Sequence, residues 1–217
     1  MDYQLLAQQL RKPSGEFAEK VAESMNENNK FMTLHSIELL DIRNGEKILE
    51  IGPGNGKYAE IVVRKANDVT YVGIDYSPDM IKIATDMNAH LLESAELSFQ
   101  EGLAESLPME DQSVDKIFTV NTVYFMEDPA VCFGEMKRVL KPGGVGCITF
   151  AAKSSMQNLP FVHYGFTMYE AEEVAEIIKK SGLFVEDIII QKEELRQVEE
   201  ISVQREIIFI LAKKLAE

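Results

Sequence analysis

Residues 48–62 read ILEIGPGNGKYAEIV, and this stretch decides the fold because it joins an apolar run to a glycine-rich turn. Glycines stand at positions 52, 54 and 56, and glycine loses more conformational freedom on folding than any other residue. Three of them in one turn indicate that the backbone passes very close to something. A buried strand, a turn and a helix start, in this order, are also what a nucleotide-type site requires. We expect a strand–loop–helix unit with a ligand beside its loop.

The spacing of the glycines discriminates between the known nucleotide loops. The dinucleotide pattern G-x-G-x-x-G needs a third glycine at position 57, where this chain has Lys57. A Walker loop fails as well, because only three residues separate Gly52 from Gly56, and Tyr58 follows the lysine where Ser or Thr is needed. A tight strand-to-helix turn without a ligand remains an alternative. The pattern argues against a pyrophosphate cradle.

An acidic residue follows the next apolar run. Residues 69–75 read VTYVGID, so that Asp75 ends a predicted strand nineteen residues after Gly56. This is close to the ~20 residues expected for a carboxylate that accepts hydrogen bonds from ribose hydroxyls. A helix cap is the alternative for Asp75, but Ser77 is better placed to cap a helix that starts at Pro78.

The remaining chain alternates between β-rich apolar runs and helical or longer connections, which predicts βαβ units and a parallel sheet buried on both faces. The predicted strands are residues 47–51, 69–74, 97–100, 114–120 and 145–151. Residues 167–170 predict a capping box for a helix that ends at Gly182. Two further apolar runs, Phe184–Ile190 and Arg205–Lys213, are joined by a charged and polar segment without a helix. They predict a terminal antiparallel hairpin.

Composition excludes several classes of protein. Hydrophobic residues make up 46% of the 217 residues, which is neither a disordered chain nor a membrane protein. The formal net charge of −14 disfavours nucleic acid as a partner. The N-terminus has no apolar signal region, and no apolar run is long enough to span a bilayer. Cys132 and Cys147 form no C-x-x-C pair, so we expect a reducing cytoplasmic location and no metal site.

Four motifs in this order make the chain resemble the class I S-adenosylmethionine-dependent methyltransferases. They are ILEIGPGNGKYAEIV (48–62), YVGIDYSPDMIKIA (71–84), EGLAESLPMEDQSVDKIF (101–118) and RVLKPGG (138–144). The resemblance implies an α/β, Rossmann-like, doubly wound fold. Its seven-stranded, mostly parallel sheet would carry a C-terminal antiparallel hairpin and an N-terminal helical lid. We expect one domain over residues 1–217: a helical cap (1–42), a cofactor-binding core (45–151), and a lid segment, helix and hairpin (152–217).

The resemblance also implies roles for individual residues around S-adenosylmethionine. The three glycines would pass beneath the cofactor, Glu50 would support the loop and the cofactor's ammonium, and Asp75 would hold the ribose. Tyr76 and Met80 would cover the adenine, although ordinary packing is the alternative for both. The family often has an acid at the position of Leu103, so here the adenine edge is left to the backbone or to another residue. The full set of expected cofactor-binding residues is Glu50, Gly52, Pro53, Gly54, Gly56, Asp75, Tyr76, Met80, Leu103, Ala104 and Asn121.

The methyl acceptor is expected to be a small molecule held next to Asn121, which ends the fourth strand. His35 and His163 are candidates for a catalytic base, and Tyr124 is a candidate for orienting the acceptor; a core or surface role is the alternative for each. An apolar or aromatic lining is expected from Met156, Leu159, Phe161, Tyr164 and Phe166. Two other functions stay open at this point: a non-catalytic S-adenosylmethionine-binding module and an NAD-dependent oxidoreductase. The oligomeric state cannot be read from the sequence.

Overall fold

The strands follow the apolar runs of the sequence closely. The structure is a computed structural model that describes residues 2–92, 96–193, 196–198 and 201–216. Its strands are β1 (Lys47–Ile51), β2 (Thr70–Asp75), β3 (Leu97–Glu101), β4 (Val114–Val120), β5 (Leu140–Ala151), β6 (Phe184–Lys192), β7 (Arg196–Val198), β8 (Ile201–Val203) and β9 (Glu206–Lys213). Its helices are α1 (Tyr3–Arg11), α2 (Ala18–Leu39), α3 (Ala59–Val63), α4 (Pro78–Met87), α5 (Ala89–Leu92), α6 (Pro129–Val139), α7 (Lys153–Met156) and α8 (Ala171–Lys180).

Seven of the described strands form one sheet in the order β3-β2-β1-β4-β5-β9-β6. Strands β1 to β5 are parallel, and β9 runs antiparallel to both β5 and β6. The predicted fold class is therefore confirmed. Strand β1 pairs with β2 on one side and with β4 on the other. The strand order reverses at this point, and in open α/β sheets the ligand crevice opens beyond the carboxyl ends of such strands.

The central strands are buried on both faces, as their uninterrupted apolar sequences predict. Ile48, Leu49, Ile117, Phe118 and Ile148 have no solvent exposure. Burying a side chain of this size contributes about 1.5–3 kcal/mol, so these positions fix the register of the strands. The loops that follow the strands are thereby held in place.

The N-terminal helices lie beside the carboxyl ends of the strands. Helix α2 packs against β4 and β5, where the Ser36 hydroxyl bonds the Met32 carbonyl (2.7 Å) and lies 2.7 Å from the Thr149 hydroxyl. Helix α1 contacts the short 3₁₀ helix Pro160–His163. Within the described ranges, no helix is long and apolar enough to cross a bilayer.

Three local predictions needed correction or extension. Helix α8 is capped by Glu170 and not by Thr167: the Glu170 side chain accepts from the N3 backbone, and Glu173 accepts from Glu170 N–H (2.8 Å). Strand β5 starts at Leu140 instead of 145, since Leu140 pairs with Val114 before the register shifts. The polar connection 191–204 contains the short hairpin β7–β8, although residues 194, 195, 199 and 200 lie outside the described residues.

Candidate functional site

The glycine loop after β1 needs its glycines for different reasons. Gly52, Gly54 and Gly56 all have positive φ, between 56° and 77°, a region that costs other residues about 1–2 kcal/mol. A Cβ on Gly52 would lie 2.6 Å from Thr122 Cγ2, and one on Gly56 would lie 2.6 Å from Phe99 Cζ. A Cβ on Gly54 would meet nothing within 4 Å. Two glycines therefore serve close packing, while the middle one leaves space for a ligand.

The loop is not a phosphate cradle, because the amide N–H of each glycine already donates within the fold. The acceptors are Ile74 O for Gly52 (2.8 Å), Asp75 Oδ2 for Gly54 (3.1 Å) and Pro53 O for Gly56 (3.0 Å). Helix α3 begins only at Ala59 and has five residues. Phosphate sites of this type need free N–H groups at a helix start, so the arrangement suits a ligand without phosphate.

Asp75 is held firmly at the end of β2. Its carboxylate accepts from Gly54 N–H (3.1 Å) and from Ser77 N–H (2.9 Å), and the residue is 7% exposed. Burial raises the pKa of Asp75 to about 6, against the opposing effect of these hydrogen bonds. Ser77 caps α4 by accepting from Met80 N–H (3.3 Å), as its sequence position predicts. Asp75 is thus free of the capping role and available as an acceptor for hydroxyl groups.

Glu50 lies beneath the loop. It is 5% exposed, and Tyr71 donates its hydroxyl to Glu50 Oε2 at 2.5 Å. Burial is the main cause that raises the pKa of Glu50 to about 7; the neighbouring Asp75 raises it further. The carboxylate lines neither of the cavities described below, so its expected contact with a cofactor ammonium stays a prediction.

A cavity of about 400 Å³ opens beyond the ends of β1, β2 and β4, and we call it the strand-end cavity. Most of the residues expected around the cofactor line it: Gly52, Gly54, Asp75, Tyr76, Met80, Leu103, Ala104 and Asn121. Glu50, Pro53 and Gly56 are not part of its wall. Eight of the eleven expected residues therefore lie around one contiguous cavity, and the other three lie outside its wall.

The N-terminal segment closes one side of the strand-end cavity, through Leu10, Arg11 and Pro13. The Tyr76 hydroxyl donates to the Arg11 carbonyl, and the Ser77 hydroxyl donates to the Pro13 carbonyl at 2.7 Å. The local sequence does not predict that these residues line the cavity. They are held there by contacts with residues more than 60 positions away along the chain. Glu105, which also lines the cavity, follows Leu103 by two positions and places an acidic side chain in the same wall.

A second cavity of about 260 Å³ adjoins the first, and we call it the aromatic cavity. Its aromatic wall is a cluster of rings whose centroids lie 4.6–6.1 Å apart. The rings are those of Tyr124, Phe125, Phe161 and Phe166. Met156 and Leu159 also line the cavity, as expected from the sequence, whereas Tyr164 is 47% exposed and does not. Helix α2 and the residues Glu193 and Arg205 complete the wall.

Asn121 lies where the two cavities meet. It lines both of them, together with Leu10, Met25 and Phe125. Its φ is 56°, and a non-glycine residue in this region is uncommon and often marks a functional position. Its side chain donates to Asn29 Oδ1 (2.9 Å) and lies 3.1 Å from the Tyr124 hydroxyl, which can donate to it.

The three candidate catalytic residues are poorly placed for proton transfer. His35 and His163 line neither cavity; His35 stacks on Phe31, and His163 is exposed. Tyr124 does line the aromatic cavity, but its hydroxyl accepts from Ala151 N–H at 2.6 Å and burial raises its pKa well above the ordinary range. The Tyr124 hydroxyl is therefore placed to hold Asn121 and the Ala151 backbone, and it is poorly suited to accept a proton. Within the described residues, no group of three or more His, Cys, Asp or Glu could hold a metal ion.

The fold and the two adjoining cavities define a Rossmann-like protein with a cavity suited to a nucleoside-type ligand beside a smaller apolar cavity. A family model described as a methyltransferase domain matches residues 42–202. The chain belongs to this family, the class I S-adenosylmethionine-dependent methyltransferases. S-adenosylmethionine is accordingly the cofactor that family membership assigns to it.

Individual relatives agree with this assignment. Methyltransferase GfsG of Streptomyces halstedii is 34% identical over 123 residues, which cover 56% of this chain and 44% of the relative. Phosphoethanolamine N-methyltransferase 3 of Arabidopsis thaliana is 27% identical over 155 residues, covering 69% and 31%. The chain thus spans less than half the length of these relatives. A geranyl diphosphate methyltransferase, solved in complex with S-adenosylmethionine, has the same fold, with a TM-score of 0.72, 13% identity and coverage of 95% and 94%.

Proposed function

We propose that this chain transfers a methyl group from S-adenosylmethionine, bound in the strand-end cavity, to a small molecule bound in the aromatic cavity. The observation that carries the proposal is the shared wall at Asn121, which brings the two cavities together at the end of β4. A methyl group can pass between two ligands only where their sites adjoin. The NAD alternative loses its support, because the N–H groups of all three loop glycines already donate within the fold and are not free for a pyrophosphate.

The residues of the strand-end cavity fit the cofactor. Gly54 leaves open space beside the loop, and the Asp75 carboxylate can accept two ribose hydroxyl groups. Leu103 and Ala104 can contact the adenine through their backbone, with Glu105 as an acceptor for its amino group. When bound, the cofactor supplies a methyl group that its sulfonium already activates.

The protein's own contribution is alignment and exclusion of water. Proximity and orientation can lower a barrier by about 7–11 kcal/mol without any covalent intermediate. The rings of Phe125 and Phe166 wall the aromatic cavity against solvent, and Asn121 is fixed by Asn29. Among the described residues of this cavity, Glu193 is the only one with a carboxylate, and that carboxylate is bound to Arg205. The acceptor atom must therefore be nucleophilic without help from a dedicated base.

The names of the relatives leave the acceptor open, since they include phosphoethanolamine and geranyl diphosphate. The acceptor class is therefore argued from this chain alone, below. We also propose that residues 1–217 work as one domain, because helices α1 and α2 wall both cavities together with the core. A cytoplasmic location is supported by Cys132 and Cys147, which are both buried free thiols.

The proposal is tested in two steps on the whole chain. Calorimetric titrations with S-adenosylmethionine, S-adenosylhomocysteine and NAD come first, and we expect saturable binding of the first two only. A panel of small phenols, amines, thiols and carboxylic acids is then incubated with S-adenosylmethionine and examined by mass spectrometry for a 14-dalton gain. Binding without any methylated product would instead support a regulatory module, and preferential binding of NAD would overturn the proposal.

A further inference from the structure

The aromatic cavity contains one strip of polar groups in an otherwise apolar wall. The strip runs along helix α2, where Asn29 Oδ1 accepts from Asn121 (2.9 Å) and the neighbouring Asn28 carbonyl accepts from Arg205 Nη2 (2.6 Å). Arg205 reaches this place from the connection between β8 and β9. The strip therefore links the meeting point of the two cavities to a guanidinium group.

The guanidinium of Arg205 is partly buried, and only some of its N–H groups donate hydrogen bonds within the fold. The side chain of Arg205 is 14% exposed and that of Glu193 is 3% exposed. Nε donates to Glu193 Oε2 at 2.7 Å, and Nη2 donates to Glu193 Oε1 at 2.9 Å. Among the described residues, nothing accepts from Nη1. Nη1 is not a fully buried atom, so this unused N–H can donate to a molecule in the ligand-sized cavity that Arg205 lines.

The position of Arg205 separates it from the cofactor. It lines the aromatic cavity but not the strand-end cavity, whereas Asn121 lines both. A molecule in the aromatic cavity can thus present its reacting atom near Asn121 and a different group to Arg205. Asn28 and Asn29 are consecutive residues of α2, so the two ends of the strip are close together and the molecule between them is small.

We propose that Arg205 is the specificity-determining residue of the acceptor site, and that the acceptor is a small apolar or aromatic molecule with a carbonyl or carboxylate oxygen that binds Arg205 Nη1. This rests on the proposed function above. The apolar walls take up the body of the molecule, and a guanidinium N–H recognises an oxygen acceptor. A phosphate dianion is disfavoured, because the Glu193 carboxylate lies against the same guanidinium and the chain carries a formal net charge of −14.

The test uses simple probes that differ in one group: acetophenone, benzoate, phenyl phosphate and ethylbenzene. Their dissociation constants are measured by ligand-observed NMR on the full chain saturated with S-adenosylhomocysteine. We expect acetophenone or benzoate to bind at least tenfold more tightly than ethylbenzene, and which of the two binds more tightly identifies the oxygen. Equal binding of ethylbenzene, or tightest binding of phenyl phosphate, would overturn the proposal.

Variants of Arg205 test whether this side chain causes the preference for the oxygen-bearing probes. In Arg205→Met the advantage of the oxygen-bearing probes should fall to within twofold, while the affinity for S-adenosylhomocysteine changes by less than twofold. Lys192→Met is the matched control, since it removes an exposed cation that pairs with Glu206 and lines neither cavity; it should keep the full preference. If Arg205→Met does not fold, Arg205→Lys keeps a cation for Glu193 and should lose at least threefold of the preference.

The two levels of the proposal fail in different ways. Wild-type protein that does not bind S-adenosylhomocysteine contradicts the proposed function itself. Normal cofactor binding with an undiminished oxygen preference in both Arg205 variants contradicts only the role of Arg205.

Discussion

The strand-end cavity and the aromatic cavity share a wall at Asn121, but different kinds of chain segment build them. The first is formed mainly by loops that directly follow β1, β2, β3 and β4. The second collects side chains from α1, α2, the segment 121–125 after β4, the segment 156–166 and both ends of the 193–205 connection. A site at strand ends is fixed by the sheet register, whereas the second site depends on contacts between distant segments. The comparison explains why the family motifs of the sequence point to the first cavity and not to the second.

The largest effect is expected for Gly52→Ala in the strand-end cavity. The positive φ costs about 1–2 kcal/mol, and the new Cβ would lie 2.6 Å from Thr122 Cγ2. Thr122 cannot turn away freely, because its hydroxyl bonds Thr119. We expect a loss of about 2–4 kcal/mol in the free energy of unfolding, measured by urea denaturation.

Gly54→Ala is the matched comparison, since its φ is also positive but its Cβ meets nothing within 4 Å. It should lose only about 1–2 kcal/mol of stability and should weaken cofactor binding, because the methyl group projects into open space beside the loop. Equal destabilisation by the two variants would contradict the distinct roles of the two glycines.

Tyr124→Phe tests the shared wall of the two cavities at Asn121. Without the hydroxyl, the buried Ala151 N–H loses its acceptor and Asn121 loses a contact, so we expect about 1–3 kcal/mol of destabilisation. Turnover of an acceptor found by the panel should fall further than the affinity for S-adenosylhomocysteine. Unchanged turnover would show that the orientation of Asn121 does not matter for the reaction.

The pH dependence separates binding from stability at Asp75. The pKa of about 6 lies above the ordinary value near 4, because burial disfavours the charged form. Protonation therefore favours the fold: the contribution of Asp75 to stability is fully present below pH 4 and is lost as the pH rises through 6. The affinity for the cofactor changes with pH in the opposite direction. It rises with pH, because the ribose hydroxyls donate to the ionised carboxylate.

The expected result is a decrease in S-adenosylhomocysteine affinity that approaches tenfold per pH unit below pH 6. Asp75→Asn is the reference, because Asn does not titrate, and the difference between the two proteins isolates this carboxyl from the others. An identical pH profile in both proteins would assign the effect to another group.

The smallest effect is expected for the histidines. His35→Gln and His163→Ala should each change turnover by less than twofold, because neither side chain lines a cavity. A loss of tenfold or more in steady-state rate, with normal stability, would restore that histidine as a candidate base.

The sequence could predict the cofactor side of the site because its signals are local. Gly52 and Asp75 each stand directly after an apolar run, and parallel strands bring such positions to one edge of the sheet. The sequence predicted only part of the aromatic cavity, namely the lining from the segment 156–166. Met25 and Asn29 are four residues apart on α2, which indicates that they share a helix face but not what that face contacts.

Arg205 carried no signal of its own. Its contact with Asn28 joins residues 177 positions apart, and no periodicity predicts a contact of that kind. The capping error at residue 167 has a different cause: two overlapping patterns, Thr167–Glu170 and Glu170–Glu173, compete for one helix start. The second pattern forms the cap, because the Glu170 side chain accepts from the Glu173 N–H and the Glu173 side chain accepts from the Glu170 N–H.

The most direct test of the account is a calorimetric titration of S-adenosylhomocysteine into Asp75→Ala and Arg205→Met, beside the wild-type chain. Asp75→Ala removes hydrogen bonds to a charged group worth about 1.5–3 kcal/mol, so its affinity should fall by about one to two orders of magnitude. Arg205→Met should bind within twofold of the wild-type chain, because Arg205 lies outside the strand-end cavity. Unchanged affinity in Asp75→Ala, or an equal loss in both variants, would contradict the division of the site into two cavities with separate ligands.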